Sequence, residues 1–401
     1  MTAMRGDSGW AGAARNLYLV AMAVFLVTIT IGIPNALNVV TFDRNQILTH
    51  VHSGTVGWLT LSIVATSFLL FRAADRRLAV AMGVCVPIYV AAFYTGNFAF
   101  RALAGVVLLL VIAWLVAWVW RTYLGGERAL PRLGIALALT TFTYGAVMGV
   151  VLQVSFAMGT MLLPGNSVGA HAGAMTFGYL ALAGMAVLEW KVLGTAGLPR
   201  AGVVQFVALF IGGLILSAAL LGGAEQIGGM FYLLAQLVAV VLFGIRVLPR
   251  ALRTSWAAAT GERHIAAAAL WIVVALVLFM AVVAQFIANP TSPDALNEGL
   301  LVAGDHSVYI GVITNVTFAL ILTLVASVAG GALVGQLVFW GMNLGLAVFV
   351  VGLAAQIETL KMVGAPVMGV ALLVGLATFA LGLLAQRGEP ATADPAQPAT
   401  A

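Results

Sequence analysis

The chain alternates between long apolar runs and short polar breaks. Twelve runs can be drawn, at approximately 17–40, 50–71, 79–98, 102–120, 133–157, 169–189, 202–222, 227–248, 265–288, 306–329, 332–354 and 362–386. Each is about 20 residues long and lacks the alternation of a half-buried strand, so each predicts a helix able to cross a bilayer. In lipid the backbone must satisfy its own hydrogen bonds, which leaves helices or a closed barrel, and this pattern selects helices. The least marked break separates the tenth run from the eleventh, at Gly330 and Gly331. Residues 387–401 are rich in Ala and Pro without periodicity and predict a disordered tail. The first run is long and has no A-x-A-like exit, so it reads as a span rather than a cleaved leader. The expected organisation is all-α: an N-terminal segment 1–16, a transmembrane bundle over 17–386, and the tail.

Composition agrees. Of 401 residues, 63% are hydrophobic and 8% charged, with a mean hydropathy of +1.10. That is too little charge to cover a water-soluble domain of this size, so lipid is the expected solvent and the lipid bilayer the expected partner. The net charge of +5 does not point to nucleic acid, because the basic residues are scattered among short loops. Cys85 is the single cysteine, which excludes an intrachain disulfide, a thiolate metal cluster and a covalently attached c-type haem.

Loop charges set the orientation. With the N-terminus inside, the cytoplasmic segments hold Arg5, Arg15, Arg72, Arg76, Arg77, Arg121, Arg128, Arg132, Lys191, Arg200, Arg246, Arg250, Arg253, Arg263 and Arg387. Arg44, Arg101 and Lys361 fall outside, a division of 15 against 3 among the 18 basic residues. This positive-inside bias places both termini in the cytoplasm, as expected of a multi-pass protein of the cell (inner) membrane. The outer loops are expected to hold Asp43, Glu225, Asp294, Glu298, Asp305 and Glu358, leaving no carboxylate deep within a span. Proton pumps and proton-coupled transporters usually carry an acid near the midplane, so both are disfavoured.

The histidines follow the same topology. His50 and His52 open the second run, His171 the sixth and His306 the tenth, each directly after an outer loop and at an interval of four helices. Their surroundings echo one another: His52-Ser-Gly-Thr-Val-Gly57-Trp58, His171-Ala-Gly173-Ala-Met-Thr-Phe-Gly178 and His306-Ser-Val-Tyr-Ile-Gly311. We read this as three weakly similar four-helix units, a pseudo-threefold internal repeat. Small residues let helices or a flat cofactor approach the backbone closely. Imidazole ligates haem iron well, and two from opposite sides make a low-spin haem. A lone histidine at a membrane boundary more often bonds only a loop carbonyl. Four at a common depth favour the ligand reading, with Arg44, Arg101 and Lys361 on the same side to neutralise propionates. His264 begins the ninth run on the cytoplasmic side and reads as an ordinary interfacial residue.

The run Thr49-His50-Val51-His52-Ser53-Gly54-Thr55-Val56-Gly57-Trp58 resembles the His-Val-His-Ser-Gly-x-x-Gly-Trp segment of the catalytic subunit of cbb-type oxidases, within the haem-copper oxidase and nitric oxide reductase superfamily. The rest of the resemblance is architectural: twelve helices in units of four, with histidines on the second, sixth and tenth. It implies one or two b-type haems and oxygen- or nitric oxide-related electron transfer. Partners would be other respiratory subunits, or a cytochrome or quinol donor. The family carries its His-x-His pair on the tenth helix, whereas this chain carries it on the second and has only His306 on the tenth. A rotated arrangement would pair His52 with His171 about a low-spin haem and set His50 near His306; the unrotated one pairs His52 with His306. The seventh and eleventh runs contain no histidine, so copper lacks a full three-histidine site. Tyr309, one turn below His306, resembles a redox tyrosine, although interfacial tyrosines are common.

Two further readings stay open. A twelve-helix secondary transporter of a small solute would suit the glycine-rich interior, with Asn343, Gln205 and Gln236 as inner polar positions. A degenerate, non-catalytic subunit would serve assembly.

Overall fold

The computed structural model describes residues 9–195, 197–288, 297–325 and 330–385. Among these residues, twelve helices are long and apolar enough to cross a membrane. They are α1 (Gly9–Ala36), α2 (Arg44–Phe71), α3 (Arg76–Tyr94), α4 (Phe98–Gly125), α5 (Leu130–Met158), α6 (Ser167–Leu193), α7 (Arg200–Gly222), α8 (Glu225–Arg246), α9 (Gly261–Ala288), α10 (Glu298–Leu324), α11 (Gly331–Ala354) and α12 (Glu358–Ala385). The chain is thus an all-α, multi-pass membrane protein. The expected tail at 387–401 and the outer-loop Asp294 lie outside the described residues.

Several helices begin earlier than the apolar runs. α1 starts at Gly9 rather than 17, α2 at Arg44 rather than 50, and α10 at Glu298 rather than 306. The reason is local. A helix entering from the boundary carries first turns that an average of hydropathy overlooks, and at α2 a side-chain cap stabilises them. At α2, Asp43 Oδ1 accepts from the backbone N–H of Asn45 at 2.7 Å and of Gln46 at 2.9 Å, while Gln46 Oε1 accepts from the Asp43 N–H at 2.9 Å. This reciprocal box sets the start of α2 six residues before His50. Asn166 caps α6 in the simpler way, accepting from the Gly169 N–H at 2.9 Å.

The earlier start of α10 also moves Asp305 off the loop and into the helix. Near the other end of α6, Glu189 is buried at 3% exposure. The expectation that Asp305 belongs to an outer loop is therefore corrected: it stands within α10, while Glu189 lies four residues before the end of α6.

Burial sorts the helices into two layers. In α2, α6 and α10, 89, 89 and 83% of the central window is buried inside the protein, against at most 61% for any other helix. The helices that carry His50, His52, His171 and His306 are the inner ones. The other nine face outward with apolar side chains such as Val80, Leu103, Leu110 and Leu333 exposed, as a lipid-facing surface requires. α10 touches α2 and α6 directly. Trp58 Nε1 on α2 donates to Thr314 Oγ1 on α10 at 2.8 Å, and the Trp58 ring stacks on Phe25 with centroids 4.8 Å apart.

Each inner helix also widens to π geometry just below its histidine, over Ser53–Thr60, Ala174–Leu180 and Ser307–Thr314. Hydroxyls follow the wider turn: Thr60 Oγ1 donates to Thr55 O and Thr314 Oγ1 to Tyr309 O, each five residues back, at 2.9 Å. Such bulges are rare and collect at functional sites.

Candidate functional site

The even-numbered helices all begin at one end of the bundle, and His50, His52, His171 and His306 lie in their opening turns. All four are half-buried. In each, Nδ1 meets a backbone carbonyl: His50 at Thr28 O, His52 at Leu48 O and His171 at Gly145 O at 2.8 Å, and His306 at Val302 O at 2.9 Å. A carbonyl only accepts, so Nδ1 carries the hydrogen and the lone pair resides on Nε2. No hydrogen bond among the described residues uses that Nε2 lone pair in any of the four. A metal-ligating imidazole is held in this way, with its far nitrogen fixed by an outer acceptor.

The four separate into two kinds. His52 and His306 bond the carbonyl four residues back on their own helix. His50 and His171 reach across to the preceding helix, to Thr28 on α1 and Gly145 on α5. Four residues beyond each of those carbonyls stands a glycine, and the ring lies against it. A Cβ added at Gly32 would come within 2.8 Å of His50 Cε1, and one at Gly149 within 2.8 Å of His171 Cε1. These two glycines belong to the site although they are far from the histidines in sequence. The glycines below the histidines do something else: Gly57 admits Val24, Gly178 admits Thr141, and Gly311 admits Trp271. They close helix–helix contacts.

His52 lies within electrostatic range of His171, and His306 within range of His50. Aromatic rings frame the group. Phe93 stacks on His52 with centroids 3.7 Å apart and planes 16° apart, and Phe349 meets His306 edge-on at 5.1 Å. Among the described residues no group of three or more His, Cys, Asp or Glu side chains is gathered to hold a metal ion.

The flanking cations behave differently from one another. Arg101 is buried at 1% exposure; it donates through Nε to Ala92 O at 3.3 Å, and through Nη2 to Phe93 O at 2.5 Å and Asn45 Oδ1 at 2.8 Å. Its guanidinium also sits over the Phe93 ring, 4.8 Å from the centroid. Arg101 therefore closes the carbonyl end of α3 and backs the ring that stacks on His52. Arg44 is exposed at the start of α2 and within electrostatic range of Arg101. Lys361 pairs with Glu358 at 2.8 Å.

Two polar groups were not legible as units in the sequence. Tyr309 turns inward: its hydroxyl and that of Thr176 lie 2.6 Å apart, and the Thr176 hydroxyl also reaches the Asp305 carboxyl. At the opposite end His264 is buried at 2% exposure, which corrects its interfacial assignment. Its Nδ1 donates to Asn315 Oδ1 at 2.8 Å, and Asn343 Oδ1 receives both Asn315 Nδ2 at 3.0 Å and Trp271 Nε1 at 2.9 Å. Gln205 accepts from Arg246 at 3.0 Å, and both amide atoms of buried Gln236 lack a partner. Cys85 is a free, half-buried thiol. No family model matches this chain, and no curated protein matches it.

Proposed function

We propose that this chain is a haem-binding integral membrane redox protein, similar to subunit I of cbb-type oxidases, with b-type haem held by histidines of α2, α6 and α10. The observation that carries the reading is the common posture of four imidazoles on the three innermost helices, Nδ1 given to a carbonyl and Nε2 free of hydrogen bonds. On this reading the three four-helix units are a pseudo-threefold repeat, supported by π-helical widening at the same place in each inner helix. The domain is the subunit I-like bundle over 17–386, in the cell membrane with both ends cytoplasmic.

The ligand pairing we favour is the rotated one. On it His52 and His171 would hold one haem, and His50 would stand near His306. Arg44, exposed beside the site, is the cation left to meet a propionate; Arg101 acts by fixing the Phe93–His52 stack. When bound, the haem would supply one-electron chemistry, and the residues of this chain would position it. The second metal ion of a haem-copper centre is not part of the proposal, since pairs of imidazoles leave no third ligand. An electron donor, whether a cytochrome or a quinol, follows from the redox role.

The test is a reduced-minus-oxidised spectrum of the protein purified from haem-replete cells, with pyridine haemochrome and metal analysis. A Soret band and b-type features on reduction are expected, and a colourless preparation would end the reading. His171→Ala is expected to abolish the low-spin signature while His306→Ala keeps it. Loss with His306→Ala alone sinks the rotated pairing.

A further inference from the structure

A cavity of about 350 Å³ opens at the histidine end of the bundle, between α6, α7, α8, α9 and α10. Its lining holds three carboxylates, Glu225, Glu298 and Asp305, and no lysine or arginine. The first two stand in the opening turns of α8 and α10, where an acid is favoured by the helix dipole and needs no ligand to explain it. Asp305 is different. It lies seven residues beyond Glu298 on the same helix, and among the described residues no ion pair reaches it; the Thr176 hydroxyl is its partner. A carboxylate within a transmembrane helix is costly, and it is usually matched by a cation or faces a water-filled cavity. Here the cavity is present, and among the described residues no lysine or arginine lines it.

The walls say which kind of cation fits. Phe177 packs edge-on against Phe279 with centroids 3.7 Å apart and lies 5.6 Å from Tyr232. Phe279 rests directly on Gly304, the neighbour of Asp305, so the aromatic cluster and the carboxylate share one wall. Tyr232 is 1% exposed and its hydroxyl has no hydrogen-bond partner among the described residues. Magnesium or calcium would need about six converging oxygen ligands, and among the described residues the three lining carboxylates do not gather into a group that could hold a metal ion. Anions are opposed by all three carboxylates. Aromatic faces beside a carboxylate attract an organic ammonium group, whose charge is diffuse and whose carbon substituents need no hydration.

We propose that this cavity binds a small organic cation with an apolar body, its ammonium group against Asp305 and its body among Phe177, Tyr232 and Phe279. The proposal does not rest on the haem reading, since none of the four histidines lines the cavity. The probe is benzyltrimethylammonium, compared with its neutral isostere neopentylbenzene, by equilibrium binding to the full-length protein in micelles. We expect saturable binding of the cation and at least about tenfold weaker binding of the isostere. Asp305→Asn should lose the cation by a similar factor, and Asp305→Glu, which keeps the charge, should retain it. Should Asp305→Asn fail to yield folded protein, Phe279→Leu takes its place and should weaken the cation more than the isostere. Equal binding of cation and isostere, or undiminished binding by the folded variant, overturns the proposal. Because the readout is binding rather than haem absorbance, a colourless protein that still discriminates the two probes would fail the first proposal and keep this one.

Discussion

An imidazole can serve a metal only if its second nitrogen is held, because a free ring rotates and loses its aim. In His171 that hold is the Gly145 carbonyl, and the ring is seated by the absence of a side chain at Gly149. Gly149→Ala therefore tests the site without touching a candidate ligand. Its Cβ would stand 2.8 Å from His171 Cε1, too close for two carbons, so the ring must turn or retreat. The backbone of α5 at this point is ordinary helix, and alanine there is otherwise favoured over glycine by up to about 1 kcal/mol. The expected outcome is a low-spin haem spectrum that is lost or shifted in a protein that still purifies at wild-type yield. Gly12→Ala, where a Cβ meets nothing within 4 Å, is the control and should leave the spectrum unchanged. An unchanged spectrum in Gly149→Ala would mean that His171 is not held where a ligand must be held.

At the scale of helices, the buried contact most sensitive to single substitutions is ionic. Arg246 on α8 grips Glu189 on α6 with two hydrogen bonds, Nη1 to Oε2 at 3.1 Å and Nη2 to Oε1 at 2.5 Å, and Nη1 also donates to Gln205 on α7. Three helices meet at one guanidinium. Removing a single partner leaves an uncompensated buried charge and is expected to cost about 3–5 kcal/mol, while replacing both with apolar residues recovers much of it. Glu189→Leu and Arg246→Met are each expected to lower the unfolding midpoint in micelles sharply, and the double variant to lie above both. A double variant no more stable than either single one would mean that the pair matters through geometry and not through charge.

The same scale shows what could be read in advance. Twelve spans were legible because a bilayer demands about 20 apolar residues per crossing, and the gathering of α2, α6 and α10 followed from their histidines. Helix starts were not legible, because hydropathy averages over polar first turns, and that of α2 is stabilised by the Asp43 cap. That error placed Asp305 in a loop. The π-helical segments were also invisible, since Ser53–Thr60 carries no residue that forbids a normal turn. His264 was misread for a related reason: its Asn315 partner lies 51 positions away, on a helix whose facing side hydropathy does not reveal.

For the molecule as a whole, the sidedness of the histidines decides where any chemistry would occur. The charge division of 15 against 3 puts the starts of the even helices outside, but it is a bias summed over many loops. Two exposed positions make it a direct measurement. Met161 lies between α5 and α6 at the histidine end, and Arg128 between α4 and α5 at the other. On a Cys85→Ser background, Met161→Cys should react with a membrane-impermeant maleimide in intact cells, and Arg128→Cys only after the membrane is opened. The reverse pattern would turn the bundle over and place the imidazole pairs and the acidic cavity on the cytoplasmic face. Both features would move together, because Asp305 and His306 are consecutive on α10. A donor and a cationic ligand reaching this protein must then come from the same side of the membrane, so labelling at these two positions constrains both proposals at once.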